Sequence, residues 1–367
     1  VAGSSDFGAA RLAALDGGDM LGAIAGLPRQ LTEGYAVTRA GLRGVFAAAG
    51  AAAPAPPARP AGLVVCGMGG SAIGADLVLA CLPELPVPAA VVRGYGLPAW
   101  VGPDALVVAV SYSGDTEETL ACAADALERG CAPVCVASGG ALAALAGARG
   151  LPLLTVPAGG QPRASLGYLA MPLLATLEAA GLCADSSADI DETVALLRAG
   201  NDLLGPQVAD ATNAAKQLAR RLHKKQAVVY GAGLTVPAAR RWKGQVNENA
   251  KAPAFWNELP ELDHNELMGW TSLPYVAAAT LAVFLDDARG DARLLRRAAL
   301  TAAALEARGV AVERVQSRGA SRLARLFSLV QLGDYASFYL ALLYGVDPTP
   351  VVAIEDFKAK LAGGSGA

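Results

Sequence analysis

Histidine is nearly missing: His223 and His264 are the only two in 367 residues. Two distant histidines cannot supply the His- and carboxylate-rich cluster that a catalytic zinc needs, so no metal is expected. The six cysteines (66, 81, 122, 131, 135 and 183) contain no C-x-x-C pair, and a chain of this size needs no stapling. Reduced thiols in a cytoplasmic setting are the expectation. No basic stripe interleaved with aromatics is present, and 30 basic against 33 acidic residues leave a net charge of −3. That balance argues against nucleic acid as a partner. Aromatics make up only 5% of the chain, whereas 53% is apolar, much of it alanine. Such a composition suits a helix-rich α/β protein built with small residues. The first twenty residues lack a basic stretch followed by an apolar one, so no secretory signal is expected. A long apolar run is also wanting. "LMGWTSLPYVAAATLAVFL", Leu267 to Leu285, carries no charge but holds Gly269, Thr271, Ser272 and Pro274 near its start. Its continuous apolar part has the length of a buried core helix, and no membrane span is expected.

What is present is a βα rhythm. The length suits two domains. Residues 1 to 50 show amphipathic helical spacing, and "AAAPAPPARP" (51 to 60) is a stiff proline-rich connector. Short β-branched runs follow at 62–66, 87–95, 105–114, 132–138 and 151–157, separated by helical patterns. Runs apolar on both faces alternating with helices predict a parallel sheet covered on each side. Helical spacing fills 167–182 and the span from about 190 to 224. Then strand, glycine turn and helix start again at "QAVVYGAGLTVPAARRWKGQVNENAK" (226 to 251), with a further strand at 309–317. The echo of "LVVCGMGG" in "AVVYGAGL" predicts two related α/β halves. The chain closes with two helices around a proline-rich turn and a flexible tail. The expected division is 1–58 for N-terminal helices and linker, 59–190 and 225–345 for the two α/β units, 191–224 for connecting helices, and 346–367 for a last helix and tail.

Two glycine-containing turns carry the chemical signal. "GMGGSAIGADL" (67 to 77) follows the first strand and fits the loose dinucleotide pattern G-x-G-x-x-A, with Arg93 on the next strand placed for a 2′-phosphate. Alone, it is equally a tight βα turn without a ligand. "VSYSGDTEET" (110 to 119) sets Ser111, Ser113 and Thr116 around a glycine, between a strand and a helix start. Hydroxyls and free backbone N–H groups at a helix N-terminus suit a phosphate monoester. The Walker pattern is absent, and a dinucleotide fold has no need of three hydroxyls on its third strand. N-capping by Ser113 or Thr116 accounts for one hydroxyl, not the set.

Together the two stretches resemble the sugar isomerase (SIS) domain, whose Ser/Thr-rich loop grips a sugar phosphate. "GQPRASLGY" (160 to 168), "NENAKAPAF" (247 to 255), "LPELDHNELMGW" (259 to 270) and "DYASFYLALLYGVDPTP" (334 to 350) narrow this. They resemble the bifunctional phosphoglucose/phosphomannose isomerase family, in order, from about residue 60 to 360. The resemblance implies a tandem SIS fold, each unit a mainly parallel sheet flanked by helices, with further helices at both ends. It implies a metal-free, cofactor-free, homodimeric enzyme interconverting glucose 6-phosphate and mannose 6-phosphate with fructose 6-phosphate through an enediolate.

That chemistry needs a carboxylate base, a cation for the developing oxyanion and a group to assist ring opening. By resemblance these are Glu248, Arg163 and His264, the histidine reaching the site from the neighbouring subunit. Lys358 matches a family lysine that contacts the sugar, although it also suits an exposed pairing with Glu355 or Asp356. Gly70, Ser71, Ser111, Ser113 and Thr116 would hold the phosphate. The family usually has Asn where this chain has Asp115; a carboxylate pointing inward there would weaken phosphate binding. Two other readings stand beside this one. A non-catalytic sugar-phosphate sensor needs the phosphate loops but not Glu248 and His264. An NADP-dependent oxidoreductase rests on the first loop and Arg93.

Overall fold

The computed structural model describes residues 6–42, 45–46, 55–82 and 84–363. Residues 51–54 of the proline-rich connector and 364–367 of the tail lie outside the described residues. Three helices open the chain: α1 (Ala9–Leu15), α2 (Met20–Ala25) and α3 (Leu27–Gly41). Then come β1 (Gly62–Cys66), α4 (Gly69–Cys81), β2 (Ala89–Val92), β3 (Ala105–Val110), α5 (Glu117–Glu128), β4 (Val134–Ala137), α6 (Gly140–Arg149) and β5 (Leu153–Thr155). A 3-10 turn, Pro162–Ala164, leads into α7 (Leu166–Ala179), followed by α8 (Ser187–Leu204) and α9 (Ala214–Leu222). The second βα series is β6 (Gln226–Ala232), α10 (Val236–Asn249), β7 (Ala254–Leu259), α11 (Glu266–Gly269), α12 (Pro274–Ala279), β8 (Thr280–Asp286), α13 (Ala292–Glu306) and β9 (Ala311–Gln316). It ends in α14 (Arg322–Tyr344) and α15 (Val352–Gly363).

Both sheets are wholly parallel. The first has the order β2-β1-β3-β4-β5 and the second β7-β6-β8-β9. Every residue of β1, β3 and β4 is buried, as expected of central strands covered on two faces. In each sheet the chain steps from its first strand to one side, then returns to the other. This reversal opens a crevice at the carboxyl ends of β1 and β3, and again at those of β6 and β8.

The helical layer between the sheets is built around α14, where Leu326, Phe327, Val330, Phe338 and Leu342 are fully buried. Among the described residues α14 is the one helix long and apolar enough to cross a membrane, but it lies almost wholly inside the protein against α8, α9 and α10. At its middle the Asp334 carboxylate accepts from Arg241 at 2.6 Å and from Gln245 at 2.9 Å, joining α10 to α14. Burial nonetheless pushes the Asp334 carboxyl above its ordinary range.

One expectation is corrected. The apolar run ending at Leu285 is not a core helix: α12 stops at Ala279, and Thr280–Asp286 is β8, a central strand of the second sheet. A short run apolar on every side fits a doubly covered strand as well as a helix, and periodicity cannot separate the two. The sequence pattern also missed β7, whose alternation is blurred by Asn257 and Glu258. The helical span up to 224 is two helices, because Asn213 caps α9 by accepting from the N–H groups of Ala215 and Lys216.

Candidate active site

The carboxyl edge of the first sheet is where the two glycine-containing turns meet. After β1 the chain turns directly into α4, whose first N–H groups have no partner inside the helix. Gly70 is required there: a Cβ on it would lie 2.7 Å from the carbonyl oxygen of Pro162. The start of α4 therefore sits hard against the 3-10 turn that carries Arg163. Ser71 is buried one residue further on.

On the adjacent strand, β3 ends in the second turn. The fully buried Ser111 hydroxyl donates to Thr116 Oγ1 at 2.8 Å and accepts from the N–H of Gly114 at 3.1 Å. Ser113 is exposed, and its Oγ accepts from the Asp115 N–H at 3.2 Å. Neither hydroxyl caps α5 in the ordinary way, since Thr116 holds the N-cap position without a side-chain bond to the helix. Gly114 takes φ +84°, and a Cβ there would lie 1.8 Å from the Gly139 carbonyl oxygen, so no other residue fits. Asp115 turns away: its Oδ1 accepts from the Ala141 N–H at 2.8 Å, at the start of α6.

Arg163 is buried and tightly held. Nε donates to Asn249 Oδ1 at 2.7 Å, while Nη2 donates to the carbonyls of Pro348 and Thr349, each at 2.7 Å. Nη1 reaches Gln161 Oε1 at 3.2 Å and Glu248 Oε2 at 3.5 Å. Burial pulls the guanidinium below its usual value, with the Glu248 carboxylate opposing that shift. Glu248 stands on the last turn of α10, one third exposed, at the rim of a groove of about 560 Å³ shared with Lys243, Lys251, Phe255, Val351 and Ile354.

His264 lies elsewhere in the subunit. Asn247 Oδ1 accepts from the Ala254 N–H at 2.8 Å, which fixes the end of α10 beside the start of β7. His264 follows the other end of β7, in a 3-10 turn spanning Glu261–His264. The whole of the six-residue β7 lies between the end of α10 and this turn. The imidazole is exposed, but its neighbours are anchored: Asp263 accepts from Arg297 at 2.9 Å and Thr301 at 2.7 Å, and Glu266 accepts from Asn257 at 2.6 Å and from Tyr230. Lys358 is exposed on α15 and makes no hydrogen bond among the described residues, to Glu355 and Asp356 included. Among the described residues no group of three His, Cys, Asp or Glu side chains converges as metal ligands do. Arg93 is taken by Asp76, which also accepts from Arg240 at 3.0 Å, leaving it committed to a protein carboxylate rather than a 2′-phosphate.

Comparison with known proteins decides the family. The chain is 42% identical over 302 residues to the bifunctional phosphoglucose/phosphomannose isomerase of Caldicellulosiruptor bescii, covering 82% of this chain and 89% of that one. The enzyme of the same description from Aquifex aeolicus is 38% identical, with 82% and 90% covered. The chain belongs to the bifunctional phosphoglucose/phosphomannose isomerase family. Within it, residues 211–361 match the model described as the bacterial phospho-glucose isomerase C-terminal SIS domain. In fold, a hypothetical protein from Thermus thermophilus superimposes with a TM-score of 0.72 at 19% identity, over 95% of this chain and 91% of that one.

The structure brings Gly70, Arg163 and Glu248 together and sets Ser71, Ser111, Ser113 and Thr116 on the adjoining turns; His264 follows β7, and Lys358 is exposed on α15. Several supporting residues escaped the sequence reading. Asn249, fully buried, directs Arg163 and donates to Ser337 Oγ at 3.0 Å. Gln30 of α3 donates to the Ala164 carbonyl at 2.7 Å and accepts from the Gly167 N–H at 3.1 Å, so the N-terminal helices brace the turn that holds Arg163. A signal for Asn249 did exist: Trp242, Val246 and Asn249 continue one buried stripe of α10. Gln30 had none, because the Ala164 and Gly167 groups it holds are more than 130 residues away.

Proposed function

We propose that this family member interconverts glucose 6-phosphate and mannose 6-phosphate with fructose 6-phosphate, without a metal, by proton transfer between C1 and C2. The observation that carries the reading is the buried Arg163 guanidinium held 3.5 Å from the Glu248 carboxylate, with its own turn pressed against the start of α4. The phosphate would bind at the N–H groups and hydroxyls of Gly70, Ser71, Ser111, Ser113 and Thr116. Glu248 removes the proton from C2 of the open-chain aldose, and charge develops on O1. Arg163 opposes that charge, and its bonds to Asn249, Pro348 and Thr349 mean little reorganisation accompanies the reaction. The hydroxyl proton passes from O2 to O1, the proton taken up by Glu248 returns to C1, and C2 becomes the carbonyl of the ketose. Removal of the C2 proton erases that stereocentre, so the two aldose epimers share one enediolate and one base.

Ring opening falls to His264 of a second copy in a homodimer. Three observations support this. The imidazole is exposed on a firmly anchored turn, that turn follows the opposite end of β7 from the close of α10, and the apolar Met268, Leu273 and Tyr275 that come after it in the chain are 71%, 47% and 70% exposed. Lys358 follows the turn gripped by Arg163 and would add a contact to the sugar. The deciding experiment is turnover of both aldose phosphates with and without EDTA, joined to exchange at C2 in D2O. Turnover unaffected by EDTA, and loss of exchange in a folded Glu248→Gln variant, are the expected results. Undiminished exchange in that variant would remove Glu248 as base, and tight hexose-phosphate binding without turnover would restore the sensor reading.

A further inference from the structure

We infer that Lys251 is a positioning residue of this centre, its ammonium tying the end of α10 to the 345–351 turn and so holding Glu248 and Arg163 in register. The inference rests on the reading of Glu248 as the base. Lys251 occupies φ +54°, a left-handed conformation that only Asp19 and Lys224 share among the described non-glycine residues. That backbone folds the side chain back. Nζ donates to the Glu248 carbonyl and, at 3.1 Å, to the Pro348 carbonyl. Pro348 O also accepts from Arg163 Nη2 at 2.7 Å. One carbonyl is thus shared by two cations, one beside the base and the other beside the developing oxyanion.

A surface lysine with no task would extend into water, and no side-chain bond would offset a left-handed backbone. Here the strained conformation is what aims the ammonium at the clamp. The charged neighbours of Lys251 are Arg163 from the 3-10 turn, Glu248 and Asp347 from the 345–351 turn, and Lys243 of α10 lines the same groove. Burial and the neighbouring Arg163 draw the Lys251 ammonium below its usual range, in keeping with its place in the cluster.

The test compares Lys251→Met, Lys251→Gly and Lys251→Arg in the full chain, with Glu248→Gln alongside. Lys251→Met is expected to lower kcat by about tenfold or more with KM nearly unchanged, since small displacements of catalytic groups are costly to rate. Lys251→Gly accepts the left-handed backbone without strain, so its Tm holds or rises while kcat falls as in the Met variant. Lys251→Arg recovers most of the rate. Met and Gly variants with unaltered kcat overturn the inference. So does a loss of rate that tracks Tm and is reversed by glycine, which would mark Lys251 as merely structural. If Glu248→Gln keeps full turnover, the reading of the base falls and takes this inference with it. If that variant is inactive while Lys251→Met behaves as the parent, only the inference about Lys251 fails.

Discussion

The carboxyl edges of the two sheets share a topology and differ in chemistry. Each lies at a reversal of strand order, and each follows its first strand with a glycine turn into a helix. The first edge presents the hydroxyls of Ser71, Ser111, Ser113 and Thr116 on turns adjoining the one that carries Arg163. At the second, the only hydroxyl in the matching turn, Thr235, is turned inward: it donates to the Leu285 carbonyl at 2.7 Å and accepts from the Ala232 N–H at 2.9 Å. Asp286, Asp287 and Asp291 line that crevice, and each is spent on structure. Asp286 pairs with Arg314 at 2.8 Å, Asp287 with Arg325 at 2.7 Å, and Asp291 caps α13 by accepting from Arg293 N–H at 2.8 Å. Arg289 and Arg322 line the same crevice and are likewise committed, donating to the Ala320 carbonyl at 3.2 Å and the Ala80 carbonyl at 2.9 Å. The fold provides two crevices, and side chains make only one of them a candidate anion site.

The sharpest way to break this contrast is to remove the base. Glu248→Gln should lose turnover by about 10²- to 10⁴-fold, the usual worth of a positioned general base, whereas Asp286→Asn should leave kcat within about twofold. Steady-state assays on both variants check it, and a dead Asp286→Asn enzyme would mean that the second edge takes part in the chemistry.

Next comes a glycine comparison. Alanine at Gly114 meets backbone at 1.8 Å, while at Gly233, φ +54°, the nearest atom is a Leu294 methyl at 3.6 Å. Gly114→Ala should lose more than about 4 kcal/mol or fail to fold. Gly233→Ala should lose only the left-handed penalty of about 1–2 kcal/mol. Urea denaturation measures both. Asp287→Ala, which leaves the buried Arg325 guanidinium unpaired, should cost about 3–5 kcal/mol with KM for the sugar phosphate unchanged.

Single hydroxyls should show smaller effects. Ser111→Ala is expected to raise KM by roughly tenfold, within the range for a hydrogen bond to a charged group, and Thr235→Ala to lower stability by about 1–2 kcal/mol without touching KM. Equal KM effects in the two would erase the distinction between the edges.

The smallest effect concerns pH. All six cysteines lie between residues 66 and 183, in the half that holds the first sheet. Burial pushes Cys81 and Cys135 from 9.0 to about 12. The native state therefore retains protons that the unfolded chain releases, and stability present below pH 9 is lost as pH rises toward 12. Cys135→Ala should flatten that alkaline decline in urea midpoints relative to the parent, whatever its cost at neutral pH.

Much of this organisation was legible in the residues. Runs such as "GLVVC" and "ALVVAV" are short, β-branched and apolar on both faces, so parallel strands and flanking helices follow from local pattern and the need to cover two faces. The hydroxyl set of "SYSGDT" likewise marked a candidate anion site, because capping needs only one hydroxyl. The same local pattern failed at β8, where a short apolar run fits helix and strand alike.

By itself, the sequence determined the class of fold, the two βα series, the phosphate-type turn and the family. Each of these is written in periodicity or in residues adjacent along the chain. Tertiary structure alone decided which way Asp115 points, that Arg93 is claimed by Asp76, and that Gln30, Asn249 and Pro348 jointly hold Arg163. It also decided that the His264 turn follows the opposite end of β7 from the close of α10, where Glu248 stands. Those are contacts across dozens to hundreds of residues, set by how helices pack between two sheets, and no local pattern encodes them.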